Sequence, residues 1–135
     1  MEPKKILTYK RSGPEKKLQL DLIALLKARD WDVFPTHGNE YSMGFPDLFC
    51  AHYTLGSRWV EVKNPESFKM TPAQMEVFPR FMSKGVGIWI LCYADEIEYE
   101  KLKYPANWHL FLGKSSMVRP GFSNSTLNNK GQILE

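Results

Sequence analysis

Two apolar runs, "DLFCAHY" at 47–53 and "RWVEVK" at 58–63, are separated only by "TLGS", and nothing else constrains the fold of this chain as tightly. Both runs are rich in aromatic, β-branched and apolar residues, and a short gap containing glycine is a hairpin signal. The charges within them stand out. Asp47 opens the first run, while Glu61 and Lys63 interrupt the second. A charge in a half-buried sheet needs a partner or a metal. Side chains alternate along a strand, so Trp59, Glu61 and Lys63 share one face and Val60 and Val62 the other. A turn centred between residues 54 and 56 sets position 47 opposite somewhere between 61 and 65. Neighbouring strands lie about 4.8 Å apart, so the Asp47 and Glu61 carboxylates can converge. A slip of one residue would send them to opposite faces, and the register is not readable from the sequence.

The flanking pattern is α/β. "GPEKKLQLDLIALLKARD" predicts a first helix: Pro14 and Glu15 suit its first turn, and Leu18, Leu22, Leu25 and Leu26 form an apolar stripe. "WDVFP" is a short strand ended by Pro35, followed by the turn-rich "THGNEYSMG". After the hairpin, "TPAQMEVFPRFMSKG" predicts a second helix capped by Thr71. Pro72 falls at its first position, Gln74 completes a capping box, Pro79 should kink or divide it, and Gly85 should end it. "VGIWILCY" is the most apolar run and is expected at the centre of the sheet. "ADEIEYEKLKYP" reads as a short acidic helix and "WHLFLG" as a last strand. The expected order is α-β-β-β-α-β with a small αβ appendage: one domain over 14–113 with a mixed sheet flanked by helices. Residues 1–13 read as a flexible basic arm and 114–135 as a loosely ordered tail.

At 135 residues, 43% hydrophobic and 24% charged, the composition excludes wholesale disorder. A net charge of +3 and a pI near 8.8 permit a polyanionic partner without demanding one. Cys50 and Cys92 sit in apolar runs with no C-x-x-C pair, which argues for two buried thiols rather than a zinc site. No signal peptide and no membrane-length apolar run are evident, so the expectation is a cytoplasmic protein with no membrane association. His37, His52 and His109 lack metal-ligand spacing, and "HGN" at 37–39 is too little for an H-N-H nuclease.

Two converging carboxylates repel unless a proton or cation lies between them. Mg²⁺ or Mn²⁺ suits such a pair, and a lysine beside the ion can touch a phosphate or orient an attacking water. That set performs metal-assisted phosphodiester hydrolysis. A cross-strand surface salt bridge, worth under about 1 kcal/mol, is the plain alternative.

The residues "PD" at 46–47 and "EVK" at 61–63, in an αβββαβ order, resemble the PD-(D/E)xK nuclease superfamily. With Glu15 early in the first helix, "GFPDL" at 44–48 and Gln74 in "TPAQ", residues 14–92 are similar to its VRR-NUC branch, the virus-type replication and repair nucleases. The small size resembles the stand-alone bacteriophage members. The resemblance implies a restriction-endonuclease-like core in which Asp47 and Glu61 bind Mg²⁺ or Mn²⁺, the Val62 carbonyl adds a ligand, and Lys63 is catalytic. Glu15 would be an outlying acid, direct or through water, and Gln74 would orient water, phosphate or Lys63. Glu15 equally suits the helix dipole, and Gln74 the capping box. The resemblance further implies a homodimeric endonuclease acting in DNA repair on branched DNA such as Holliday junctions or flaps, in the host cytoplasm if phage-encoded, with no small organic cofactor.

Tyr41, Met43 and Phe45 flank the "PD" box and either wedge into DNA or pack in the loop. The lysines at 4, 5, 10, 16 and 17, with Arg11, either hold phosphates or are simply solvated. Two further readings stand beside the enzyme: a non-catalytic nucleic-acid-binding module that keeps the fold, and a sequence-specific, restriction-type nuclease.

Overall fold

The computed structural model describes residues 13–36 and 43–118. Residues 1–12, with most of the basic arm, 37–42, with "HGN" and Tyr41, and 119–135 lie outside the described residues. The order is α1 (Gly13–Lys27), β1 (Asp32–Pro35), β2 (Leu48–His52), β3 (Gly56–Val62), α2 (Pro72–Ser83), β4 (Ile88–Leu91) and α3 (Glu96–Tyr99). The α-β-β-β-α-β sequence of elements is the one expected. The sheet runs β1-β2-β3-β4, antiparallel across its first two pairings and parallel between β3 and β4. It is a four-stranded mixed sheet flanked by helices. Among the described residues no helix is long and apolar enough to cross a membrane.

Strand alternation divides the core in two. Leu48, Cys50, Val60, Val62 and Leu91 meet Leu22 and Leu26 of α1 and Tyr99 of α3. Ile88, Ile90 and Cys92 meet Phe78 of α2, with Trp108 and Phe111. Burial within the first cluster pushes the Cys50 thiol up to about 12. A thiol raised above its unfolded value stabilises the fold fully below that value, about 8.5, and loses the contribution as pH climbs toward 12. Urea melts between pH 8 and 11 should therefore show stability falling with pH, and Cys50→Val should flatten the slope. An equal slope in the variant would assign the effect to other groups.

Three expectations are corrected. The "VGIWILCY" strand, β4, lies at an end of the sheet among the described residues, with β2 and β3 inside. Its apolarity reflects burial of both faces, and its outer edge is sealed by side chains. The Asn107 amide accepts the Ile90 N–H at 2.6 Å and donates to the Ile90 carbonyl at 3.2 Å, while Glu98 accepts the Cys92 N–H. That closes an edge otherwise open to pairing. "WHLFLG" is not a strand, because Trp108–Phe111 forms a 3₁₀ turn. Trp108 and Phe111 are buried while His109 and Leu110 are exposed, the i, i+3 pattern of that helix and not the alternation of a strand. The acidic helix before it is α3 continued by a 3₁₀ turn, Glu100–Lys103. Lastly, of the kink or division expected at Pro79 the division does not occur, because α2 runs from Pro72 to Ser83 as one helix.

Gly85 ends α2 as expected. At φ +81° it donates to Met82, while the Val86 N–H reaches back to Phe81, a paired closure of the last carbonyls that favours glycine.

Candidate active site

The hairpin register pairs Leu48 with Val60 and His52 with Gly56, and one step further sets Asp47 opposite Glu61. His52 helps hold that register, its Nδ1 accepting the Thr54 and Leu55 N–H groups in the turn. Past the last paired residues, side chains take over from the ladder. Asp47 Oδ2 accepts the Val62 N–H at 2.7 Å, and Glu61 Oε1 accepts the Asp47 N–H at 3.1 Å. The Asp47 backbone is gripped from the other side, where Thr36 donates its N–H and hydroxyl to the Asp47 carbonyl at 2.9 and 3.1 Å. The same hydroxyl reaches the Pro46 carbonyl.

On the far side of Glu61 the contacts turn to α2. Gln74 Nε2 donates to Glu61 Oε2 at 2.7 Å, and the Lys63 ammonium lies 3.2 Å from that same oxygen. Lys63 also donates to Gln74 Oε1 at 3.1 Å and to the Lys69 carbonyl at 2.8 Å. The four side chains are closed off from solvent: Asp47 and Glu61 are 0% exposed, Lys63 4% and Gln74 5%. Buried charges of opposite sign so close, with their remaining polar atoms hydrogen-bonded, form a strongly coupled set.

Gln74 closes the capping box that the sequence predicts. Its Oε1 accepts the Thr71 N–H at 3.0 Å while Thr71 Oγ1 accepts the Gln74 N–H at 3.1 Å, which closes the capping box. The same amide then bridges Lys63 and Glu61. The start of α2 is thus fixed in place by the site itself.

Gly44 of "GFPDL" explains how the loop can lie so close. Its φ is +83°, and a Cβ there would stand 2.6 Å from the Ala73 carbonyl oxygen and 2.9 Å from Val77 Cγ2. Only glycine allows the residues before Asp47 to press against the first turn of α2.

Comparison of this chain with protein-family models, characterised proteins and solved structures finds no match.

The structure brings Asp47, Glu61, Lys63 and Gln74 together and places the Val62 N–H on Asp47. Among the described residues no group of three or more His, Cys, Asp or Glu side chains could hold a metal ion, so Glu15 does not join Asp47 and Glu61 as a third direct ligand. Glu15 lies in the first turn of α1, whose core residues pack on the Val60/Val62 side, while Glu61 belongs to the alternate face. Of the residues flanking the "PD" box, Phe45 packs edge-on against Trp59 and Phe81, and Met43 is exposed. Two members of the site were not legible. The Lys69 carbonyl carries no side-chain signal, and Thr36 looks like an ordinary strand end until its contact with Asp47 is seen.

Proposed function

We propose that this protein is a Mg²⁺- or Mn²⁺-dependent DNA endonuclease of the PD-(D/E)xK kind, VRR-NUC-like, acting as a homodimer on branched DNA such as Holliday junctions or flaps. The observation that carries the reading is the meeting of Asp47 and Glu61 at one end of the hairpin, where Glu61 accepts the Asp47 N–H and Asp47 the Val62 N–H, with the Lys63 ammonium 3.2 Å from Glu61. Two carboxylates against one ammonium leave one formal negative charge in excess within this buried quartet. Hard oxygen donors with that charge suit a small divalent cation. Asp47 and Glu61 would hold the ion. Val62 is oriented to add its carbonyl, because its N–H donates to Asp47 and the N–H and C=O of a residue leave an extended strand on the same side. A divalent ion supplies hydroxide formation and neutralisation of phosphate charge. Lys63 would hold the attacking water or a phosphate oxygen. Gln74 fixes Glu61 and Lys63 relative to each other, and Glu15 would act through water. A two-fold dimer suits symmetric incision of a four-way junction.

A second reading, a binding module without hydrolysis, is favoured by one feature. The Lys63 ammonium is already engaged inside the protein, hydrogen-bonded to the Lys69 and Gln74 oxygens and ion-paired with Glu61, as a structural strut would be.

Labelled four-way junctions, flaps and linear duplexes incubated with the protein and Mg²⁺ or Mn²⁺ provide the test. Branched substrates should be cut, and Asp47→Ala should reduce cleavage to background. Equal cutting by Asp47→Ala, or no cutting of any DNA, would end the reading. Calorimetric silence toward divalent ions would favour the binding module, and sequence-dependent cutting of linear duplexes a restriction-type enzyme.

A further inference from the structure

The loop over 64–70 supplies the acceptor that directs the Lys63 ammonium, and it is not free to choose its shape. Asn64 Oδ1 accepts the Glu66 N–H at 3.0 Å, turning the chain immediately after Lys63. Two backbone bonds then tie the loop to the segment after the last 3₁₀ turn: Phe68 N–H to Ser115 at 3.0 Å, and Met117 N–H to the Pro65 carbonyl at 2.9 Å. The Phe68 ring is buried in the second core cluster, edge-on to Phe111 with centroids 5.4 Å apart. Met117 packs against the same cluster. Phe68 immediately precedes Lys69, whose carbonyl receives the ammonium. Residues 115–117, which the sequence places in a loosely ordered tail, therefore reach the candidate active site through one short loop.

We infer that Phe68, clamped by Ser115 and Met117, is a positioning residue for the Lys63 ammonium. This rests on the nuclease reading only for its catalytic consequence. Burial of the ring sets the path of 65–69, that path aims the Lys69 carbonyl, and the carbonyl holds Nζ beside Glu61. A flexible four-carbon stem gives Lys63 no such aim of its own.

The test reads the ammonium directly. In the 135-residue protein, the ¹⁵N resonance of Lys63 Nζ should be resolved and slow to exchange, being buried, held by two hydrogen bonds and paired with Glu61. Phe68→Ala should lose that resonance to exchange, and Phe68→Leu, still apolar, should restore it. In case Phe68→Ala does not fold, Met117→Pro removes the donor to Pro65 at a partly exposed site, with Met117→Leu as its control. Cleavage run in parallel should show kcat down on the order of 10²-fold for Phe68→Ala and Met117→Pro, with KM within about twofold. A protected Lys63 ammonium in Met117→Pro, or in a folded Phe68→Ala, would overturn the inference. Absence of cleavage in the wild type would instead overturn the nuclease reading and leave the ammonium result intact.

Discussion

Glu61→Leu is expected to destabilise the protein by about 3–5 kcal/mol, and adding Lys63→Met to recover the part of that loss due to the uncompensated ammonium. The single change leaves an ammonium that is 4% exposed facing only neutral acceptors, the Gln74 and Lys69 oxygens. It also takes an acceptor from Gln74 Nε2 and from the Asp47 N–H. An unmet buried donor costs about 1–3 kcal/mol. Removing both charges together takes away the uncompensated ammonium, while the Gln74 Nε2 and Asp47 N–H donors still lose the Glu61 acceptor, so the recovery is partial. Urea denaturation of the four members of the cycle measures the coupling. If the double variant falls by the sum of the two single losses, the buried pair is not the unit described here. The double variant, stable but lacking Glu61 and Lys63, should also cut no DNA, which separates the stability of the quartet from its chemistry.

Gly44→Ala is expected to cost about 2–5 kcal/mol, from two independent sources. A φ of +83° is strained for any residue with a Cβ, and that Cβ would meet the backbone of Ala73 at 2.6 Å. Backbone cannot swing aside as a flexible side chain can. Relief has to come from moving the first turn of α2, which carries Gln74 away from Glu61 and Lys63. Cleavage should fall along with stability. Gly56→Ala is the control: its φ is +82°, yet nothing lies within 4 Å of the added carbon. It should show the conformational cost alone, about 1–2 kcal/mol. Equal losses at the two positions would mean that contact with Ala73 is not the constraint.

Much of the arrangement was legible because it depends on local covalent geometry. Alternation along a strand assigned Val60 and Val62 to the core and Glu61 and Lys63 to the other face, and the two core clusters divide in that way. The capping box at Thr71 and Gln74 and the stop at Gly85 are short-range patterns, and both are present. What failed to read locally has long-range causes. The central place assigned to "VGIWILCY" went wrong because apolarity reports burial of a strand's faces and carries no information about its rank in the sheet. The supposed last strand "WHLFLG" is too short for its period to separate a strand from a 3₁₀ turn. Its burial is set by the cluster around Phe78 and Phe68.

The amino-acid sequence by itself determined which side chains were available to the site and which face of each strand they occupy. Tertiary structure decided that they meet. Asp47 stands opposite Glu61 because the Leu48–Val60 register is set by the turn at one end and by core packing along the strand. Gln74 reaches both Glu61 and Lys63 because Gly44 admits α2 at backbone contact distance. Each of these depends on groups far apart in the chain, whose relative placement is specified only once the whole core has closed around them.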